Sequence, residues 1–355
     1  MKTFIKWLRE ISKKDISLVG GKGASLGELT KLGLPVPEGF CITVHAYRDF
    51  IKESEDEILS IANSIEIDNQ SDLQLKAQDI RKTISKNEIP ETISKEIIEA
   101  YKKLAGNLNL PVAVRSSATA EDLPQSSFAG QHETYLNVVG AEHFLHKVKE
   151  CWASLWTSRA IHYRGKRGFD HSKIAMCVVV QKMVSPSISG VMFTYNSMKG
   201  SNDEIVIEST FGLGEGLVAG IVTPDSFIIN KQELKIKNKR IAEKEMMIIP
   251  SKDGTAQTKI PRERRSVSTL SDKKILELAK IGLEIEQHYK TPQDIEWCLS
   301  QDGFHILQSR PVTGIGRVFP KLSEKELEGL EGEWTKSPLD ERVSEPLTPF
   351  TWSIT

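Results

Sequence analysis

Between about Asp49 and Leu108 the chain is rich in Lys, Glu, Ile and Ser, and its apolar residues recur at helical spacing. Leu73, Ala77, Ile80 and Ile84 form one such series, and Ile93, Ile97, Tyr101 and Leu104 a second. Residues three and four apart share a helix face, so the stretch predicts two or three amphipathic helices. From Glu142 to Arg164, Leu145, Val148, Trp152 and Leu155 or Trp156 keep the same period and predict one more. Elsewhere short apolar runs replace the helical period. Val112–Val114 reads as a buried strand, followed by a loop of small polar residues and a second strand. Ile174–Val184, Ser187–Phe193, Ile205–Glu208 and Ser226–Asn230 read as further strands. Ser271 offers a hydroxyl to cap a helix running through Ile275, Leu278, Ile281 and Ile285. Asp294–Leu299 and Phe304–Gln308 flank Ser300-Gln301-Asp302-Gly303, a hairpin signal because Asp-Gly tolerates the backbone such turns need. Helices mixed with antiparallel strand pairs predict an α+β, mixed α/β fold.

At 355 residues the chain has room for two or three domains of roughly 150 residues each. No period of 20 to 50 residues repeats, which argues against a solenoid or propeller. Hydrophobic residues make up 39% and there are 24 glycines, a globular composition that excludes general disorder. Lys plus Arg number 47 against 48 Asp plus Glu, a net charge of -1. With no field of one sign, nucleic acid and anionic membranes are not expected partners, and any polyanion must be held by cations gathered locally. The longest apolar run, Ile174 to Val180, is far short of the roughly 20 residues that span a bilayer. The N-terminus alternates apolar and charged residues and lacks the core of a secretory signal, so a cytoplasmic protein is expected. Cys41, Cys151, Cys177 and Cys298 lie far apart without a C-x-x-C pair and read as buried thiols, neither a disulfide framework nor a zinc site.

Five segments carry candidate chemistry. In Val19–Leu29, VGGKGASLGEL, three glycines surround Lys22 ahead of a helical pattern at Leu26, Leu29 and Leu32. Backbone N–H groups, a helix N-terminus and a lysine together suit a phosphate, although the P-loop order is absent. A glycine turn with a solvated lysine is the bland alternative. Arg115 ends the buried strand and precedes Ser116, Ser117, Ala118 and Thr119; its fork suits a phosphate, and Ser126–Gly130 suits a small-residue flap over it. Pairing of Arg115 with Glu121 or Asp122 is the alternative. In the hairpin, period two sets Asp294, Glu296 and Cys298 on one face of the first strand and Gln308 with Arg310 on one face of the second. Glu296 with Asp294 suits Mg²⁺, and Arg310 suits a transferring phosphoryl group; a cross-strand ion pair is the structural alternative. Finally, Ser209–Gly220 is glycine-rich, and the strand VVVQKMV ends in Gln181, Lys182 and Met183, where backbone groups can meet an adenine edge; both signals are weak alone.

Together, VGGKGASLGEL…LPVPEGF, VRSSATAEDLPQSSFAGQHETYLNV, QKMV…SGVMFT, ES-FGLGEGLV-G-VTPD and DIEW…ILQSRPVT resemble the nucleotide-binding half of the phosphoenolpyruvate synthase, pyruvate phosphate dikinase and rifampicin phosphotransferase family, in order from about residue 4 to 314. The resemblance implies an ATP-grasp fold whose two lobes close on ATP. It implies a phosphotransferase with paired acceptors that splits ATP to AMP and phosphate through a phosphohistidine on a separate, mobile domain. It places Lys22 and Arg115 on the phosphates, Gly130 and Thr134 in the flap, and Gln181 with the backbone of Met183 and Val184 at the adenine. Glu296 and Gln308 take Mg²⁺ and phosphate, and Arg310 the transferring group. The implied layout is an N-terminal lobe of 1–110 and 111–190, a C-terminal ATP-grasp lobe of 191–314, and a linker with the start of a following domain at 315–355.

The family's phosphocarrier segment, a glycine-rich stretch with a histidine after small residues, is missing, and none of the eight histidines, His132 included, sits in that context. The expectation is that the chain binds ATP and depends on a histidine domain and a substrate domain in cis or in trans. Trp334, Pro346-Leu347-Thr348-Pro349 and Trp352 resemble the opening of the helical domain inserted in rifampicin phosphotransferases. A stand-alone ATP-binding regulatory protein without phosphoryl transfer is the alternative of a different class.

Overall fold

The computed structural model describes residues 2–106, 110–119, 133–252 and 254–312. Strands β1 (Ile5–Trp7), β2 (Gly39–Ile42), β3 (Val112–Ala118), β4 (Thr134–Val138) and β5 (Met176–Lys182) form an antiparallel sheet in the order β1-β2-β5-β3-β4. Every residue of β3 is buried, as are the first six of β5, so neither alternates. β3 runs past the expected Val112–Val114 and takes in Arg115–Ala118, expected as the end of the strand and the start of a loop, because buried serines carry no apolar signal. Helix α1 (Ile16–Lys31) lies against β3 and β5. Around the same core pack α2 (Val44–Ile51), α3 (Glu55–Asn63), α4 (Gln70–Lys86), α5 (Glu91–Ala105), α6 (Ala141–Ser154) and α7 (Ser158–Lys166). The helical spacing of α4 and α5 is borne out: Leu73, Ala77, Ile80, Ile84, Ile93, Ile97, Tyr101 and Leu104 all face that core.

The helix expected over Glu142–Arg164 is two helices. Leu155 ends α6, and Thr157, in extended backbone, caps α7 by accepting from Ala160 N at 3.3 Å. The apolar period runs on across the break because both helices bury their faces in the same core, so spacing alone hid it.

The second lobe is a six-stranded antiparallel sheet built from β6 (Ile188–Phe193), β7 (Glu204–Phe211), β8 (Asp225–Asn230), β9 (Lys235–Arg240), β12 (Gln293–Ser300) and β13 (Gly303–Pro311), in the order β13-β12-β6-β7-β8-β9. Two further strands, β10 (Met246–Ser251) and β11 (Gly254–Lys259), pair with each other as a separate hairpin. Short helices α8 (Glu215–Val218) and α9 (Arg262–Arg265) precede α10 (Asp272–Tyr289), whose N-terminus is capped by Ser271 as expected. Buried Ile275, Leu278 and Ile285 of α10 pack with Ile205, Ile207, Ile295 and Trp297 on one side of the sheet. The β12–β13 turn falls where Asp302-Gly303 placed it, with Gly303 at φ 118 opposite Ser300.

The chain crosses from one sheet to the other over residues 183–187, just before the boundary expected at 190. Along one side the lobes meet through α1 and β13: Ser25 Oγ donates to Ser309 O at 2.7 Å, and Ile306 N to Pro35 O at 2.9 Å. On the other side the β10–β11 hairpin touches both. Leu213 N donates to Ile248 O at 2.9 Å, and Asn137 Nδ2 at the end of β4 donates to Ser251 O. All four cysteines are free and buried. Among the described residues no helix is long and apolar enough to cross a membrane. The fold is thus a two-lobed mixture of helices and antiparallel sheets with a cleft between the lobes. The 315–355 segment, its Trp and Pro pattern included, lies outside the described residues.

Candidate nucleotide site

The glycine segment is a kink within α1: a first turn from Ile16 is joined, across Gly20 at φ 70 and ψ 174, to the helix that runs on to Lys31. No other residue fits there: an added Cβ would fall 2.3 Å from Ser117 Oγ on β3, in backbone that L side chains rarely adopt. The kink is stitched down by Ser117 Oγ, which donates to Val19 O at 2.9 Å and accepts from Gly23 N at 3.3 Å. It restarts the helix at Lys22. Its side chain is buried rather than solvated, with Nζ donating to Ser116 O at 2.7 Å. Lysine and arginine therefore meet at adjacent residues of one strand, 116 and 115.

Arg115 spans the two sheets. Its Nη1 donates to Leu307 O at 2.6 Å and its Nη2 to Glu296 Oε2, while Nε has no hydrogen-bond partner. This partner is on the other lobe; Glu121 and Asp122, the alternative partners, lie outside the described residues. The carbonyl of Leu307 is presented by an irregularity in the hairpin. Glu296 faces Gln308 but Trp297 faces Ile306, so Leu307 is the extra residue of a bulge. The predicted faces are otherwise borne out, with Asp294 opposite Arg310 and Glu296 opposite Gln308.

Burial pushes the Glu296 carboxyl up, but the charges of Arg115, Lys22 and Arg310 outweigh it and hold the group below its ordinary range. Three cations converge on one half-buried carboxylate. Asp294 differs. Burial raises its pKa, only partly offset by Arg310, whose Nε and Nη2 both donate to Asp294 Oδ2 at 2.9 and 2.7 Å. Asp294 is thus already engaged by Arg310, the cross-strand pair weighed above as the structural alternative, and it does not stand beside Glu296 as a second open ligand.

Between the sheets lies a cavity of about 180 Å³ whose wall includes Arg115, Thr134, Gln181, Met183, Val184 and Glu296. Six of the expected positions, drawn from four strands and the segment after β5, therefore share one space. Thr134 is paired with Arg115 across β3 and β4. Buried Gln181 donates from Nε2 to Pro37 O at 3.4 Å, and Met183 N donates to Pro111 O at 3.0 Å. Lys22, Gln308 and Arg310 sit next to this wall rather than in it, and Gly130 lies outside the described residues, as does His132. The far wall is Leu213, Gly214, Glu215 and Val218 of the glycine-rich run, a signal too weak alone to assign. Ser116 O, which fixes Lys22, and Leu307 O, which fixes Arg115, were invisible in the sequence because backbone carbonyls carry no residue signature.

The model of the family described as pyruvate phosphate dikinase, AMP/ATP-binding domain, matches residues 16–328. Over 333 residues the chain is 48% identical to a probable phosphoenolpyruvate synthase of Methanocaldococcus jannaschii, covering 92% of this chain and 28% of that protein. It is 44% identical over 374 residues to phosphoenolpyruvate synthase of Pyrococcus furiosus, covering 92% and 46%. Rifampicin phosphotransferase of Bacillus subtilis is 43% identical over 330 residues, covering 92% and 38%. The chain spans less than half the length of each of these relatives. A solved D-alanine–D-alanine ligase of Bacillus anthracis superposes over 64% of this chain and 57% of its own with a TM-score of 0.28 and 10% identity, too slight a likeness to carry weight. Matched over most of its length, the chain belongs to the pyruvate phosphate dikinase AMP/ATP-binding domain family.

Proposed function

We propose that the chain binds Mg-ATP in the cleft between its two sheets and donates a phosphoryl group. It serves as the nucleotide-binding part of a phosphoenolpyruvate synthase-like or rifampicin phosphotransferase-like enzyme, within an ATP-grasp arrangement. The observation that carries this reading is the convergence of Arg115, Lys22 and Arg310 on Glu296 at the junction of the lobes. ATP carries about four negative charges, and its reaction is dominated by positioning and charge stabilisation. Lys22 and Arg115 take the phosphates, with Thr134 and Gly130 at the flap. Gln181 and the backbone of Met183 and Val184 take the adenine. Arg310 leaves Asp294 to stabilise the group in transfer.

The donor set fits a hard cation. Glu296 is kept ionised by its neighbours, and the oxygen-bearing Gln308 lies directly opposite it. Among the described residues no three His, Cys, Asp or Glu side chains are grouped to hold a metal. Mg²⁺ held by Glu296 and Gln308 would therefore complete its shell with phosphate oxygens and water, and it would neutralise phosphate charge. As phosphate arrives Arg115 exchanges its carboxylate for it and frees Glu296.

The product side of the proposal is AMP and phosphate, formed through a phosphohistidine on a separate domain, in the cytoplasm where ATP is supplied. No observation favours the stand-alone regulator. The test supplies the chain with a downstream histidine-bearing domain in trans and follows AMP. Steady AMP is expected only with that domain present, and Arg310→Ala should lower the rate more than it lowers ATP affinity. Sustained AMP release by the chain alone, or equal losses of rate and affinity, would contradict it.

A further inference from the structure

The lobes are tied differently along the cleft. On one side α1 packs along β13, and hydrogen bonds from Ser25 and Ile306 cross directly between the lobes. In the middle Arg115 reaches Glu296 and Leu307 O. On the far side the contact is carried by the β10–β11 hairpin, whose base is anchored to the second lobe. Ile248 O accepts from Leu213 N, and it approaches Gly212 so closely that an added Cβ would fall 2.2 Å from it. Thr255 Oγ1 donates to Glu215 Oε2 at 2.8 Å. Leu213 and Glu215 line the cavity, so the hairpin is fixed to one of its walls.

The hairpin tip reaches the opposite wall. Ser251, the last residue of β10, accepts through its carbonyl from Asn137 Nδ2, and both β10 and β11 touch β4. A bulge aims Asn137 there. Val112 faces Val138 and Val114 faces Tyr135, so Leu136 and Asn137 together oppose Ala113. Asn137 stands at φ 58, left-handed backbone that asparagine tolerates better than most residues. Non-glycine residues held in this region persist where their surroundings fix them, and they cluster at ligand clamps and switches. Leu136, its neighbour, and Thr134 both line the cavity.

We propose that Asn137 and Ser251 form a latch that closes the far side of the cleft and retains bound nucleotide. The latch rests on the proposed nucleotide site. When phosphate draws Arg115 off Glu296 the central tie is loosened, and the hairpin still joins the β4 wall to the Leu213–Glu215 wall. The α1–β13 contact is then the hinge about which the cleft opens once Asn137 lets go.

Stopped-flow displacement of methylanthraniloyl-ATP, bound with Mg²⁺, by excess ATP reads the release rate directly. Glycine adopts φ 58 without strain, so Asn137→Gly removes the side-chain bond and keeps the bulge. Its release should quicken at least about threefold, the net worth of one hydrogen bond, with association nearly unchanged. Asn137→Asp sets a carboxylate against the Ser251 carbonyl and should release at least as fast. A purely structural role would reduce the fraction of chain that binds and leave the release rate of the bound fraction as it was. Wild-type release from either folded variant overturns the latch and leaves the nucleotide site standing. A wild-type chain that binds no nucleotide overturns both.

Discussion

Two cation–carboxylate pairs in this molecule are built to opposite ends. Lys244 and Asp225 in the second lobe are fully buried, and between them every strong demand is met by protein. Lys244 Nζ donates to Asp225 Oδ1 at 2.5 Å and to Ala242 O at 2.8 Å, and lies 5.8 Å from the Phe211 ring centroid. Asp225 also accepts from Ala242 N at 2.9 Å and Thr269 N at 2.8 Å. Arg115 and Glu296 at the lobe junction are left short. Arg115 Nε has no partner, and Glu296 is half-buried beside a cavity. A completed pair pins strand β8 to the segment that follows β9; the incomplete one has hydrogen-bonding capacity left over, which the proposed nucleotide site would use. Charge alone does not separate structural from functional pairs, but satisfaction does.

The comparison can be broken from the structural side first. Removing one partner of the complete pair by Asp225→Ala strands a buried ammonium and should cost about 3–5 kcal/mol in urea unfolding. Mg-ATP affinity of the molecules that remain folded should hardly change. A small stability loss would mean that Lys244 is not confined as the hydrogen bonds indicate.

A third carboxylate sharpens the contrast. Glu208 on β7 is buried, and among the described residues its carboxyl makes no hydrogen bond. Burial, only partly opposed by Arg240, pushes its pKa from 4.5 up to about 7. The folded state therefore keeps a proton that the unfolded state releases. This contribution is complete below pH about 4.5 and is lost as pH rises through about 7. Glu208→Gln should recover of order 3 kcal/mol above pH 7 and nothing at pH 4. A pH-independent effect of the substitution would remove Glu208 from the series.

The smallest effect belongs to Glu296. Its pKa is lowered, so its contribution is present above the ordinary value of 4.5 and fades as pH falls through the folded value. Glu296→Gln should therefore cost a little stability at neutral pH and nothing at low pH, where the wild type has already lost the same contribution, so the variant's acid limb is flatter. A loss equal at neutral and acid pH would show that Arg115 does not hold the carboxylate in its ionised form.

The faces of the β12–β13 hairpin were legible in the sequence because period two and an Asp-Gly turn leave little freedom. Asp294, Glu296, Gln308 and Arg310 came out paired as expected. The meeting of Lys22 with Arg115 came only from the family resemblance, not from local pattern, since it depends on a kink at Gly20 that packs against Ser117. The short strands β1 and β2 escaped notice because β1 is only 3 residues long and β2 is wholly buried and so does not alternate. Strand β9, KIKNKR, escaped because a charged edge strand carries little apolar signal. The β10–β11 hairpin had a usable signal that went unread: MMIIP leads into Asp253-Gly254, the same turn chemistry as 302–303, and Gly254 adopts φ 125.

The most direct test titrates Mg-ATP calorimetrically into the wild-type chain, Arg115→Ala and Lys22→Ala, with Asp225→Asn as the structural control. Each cleft variant should bind at least tenfold more weakly, about 1.4 kcal/mol, while folded Asp225→Asn binds as the wild type does. Wild-type affinity in both cleft variants would contradict the assignment of this cleft to the nucleotide phosphates.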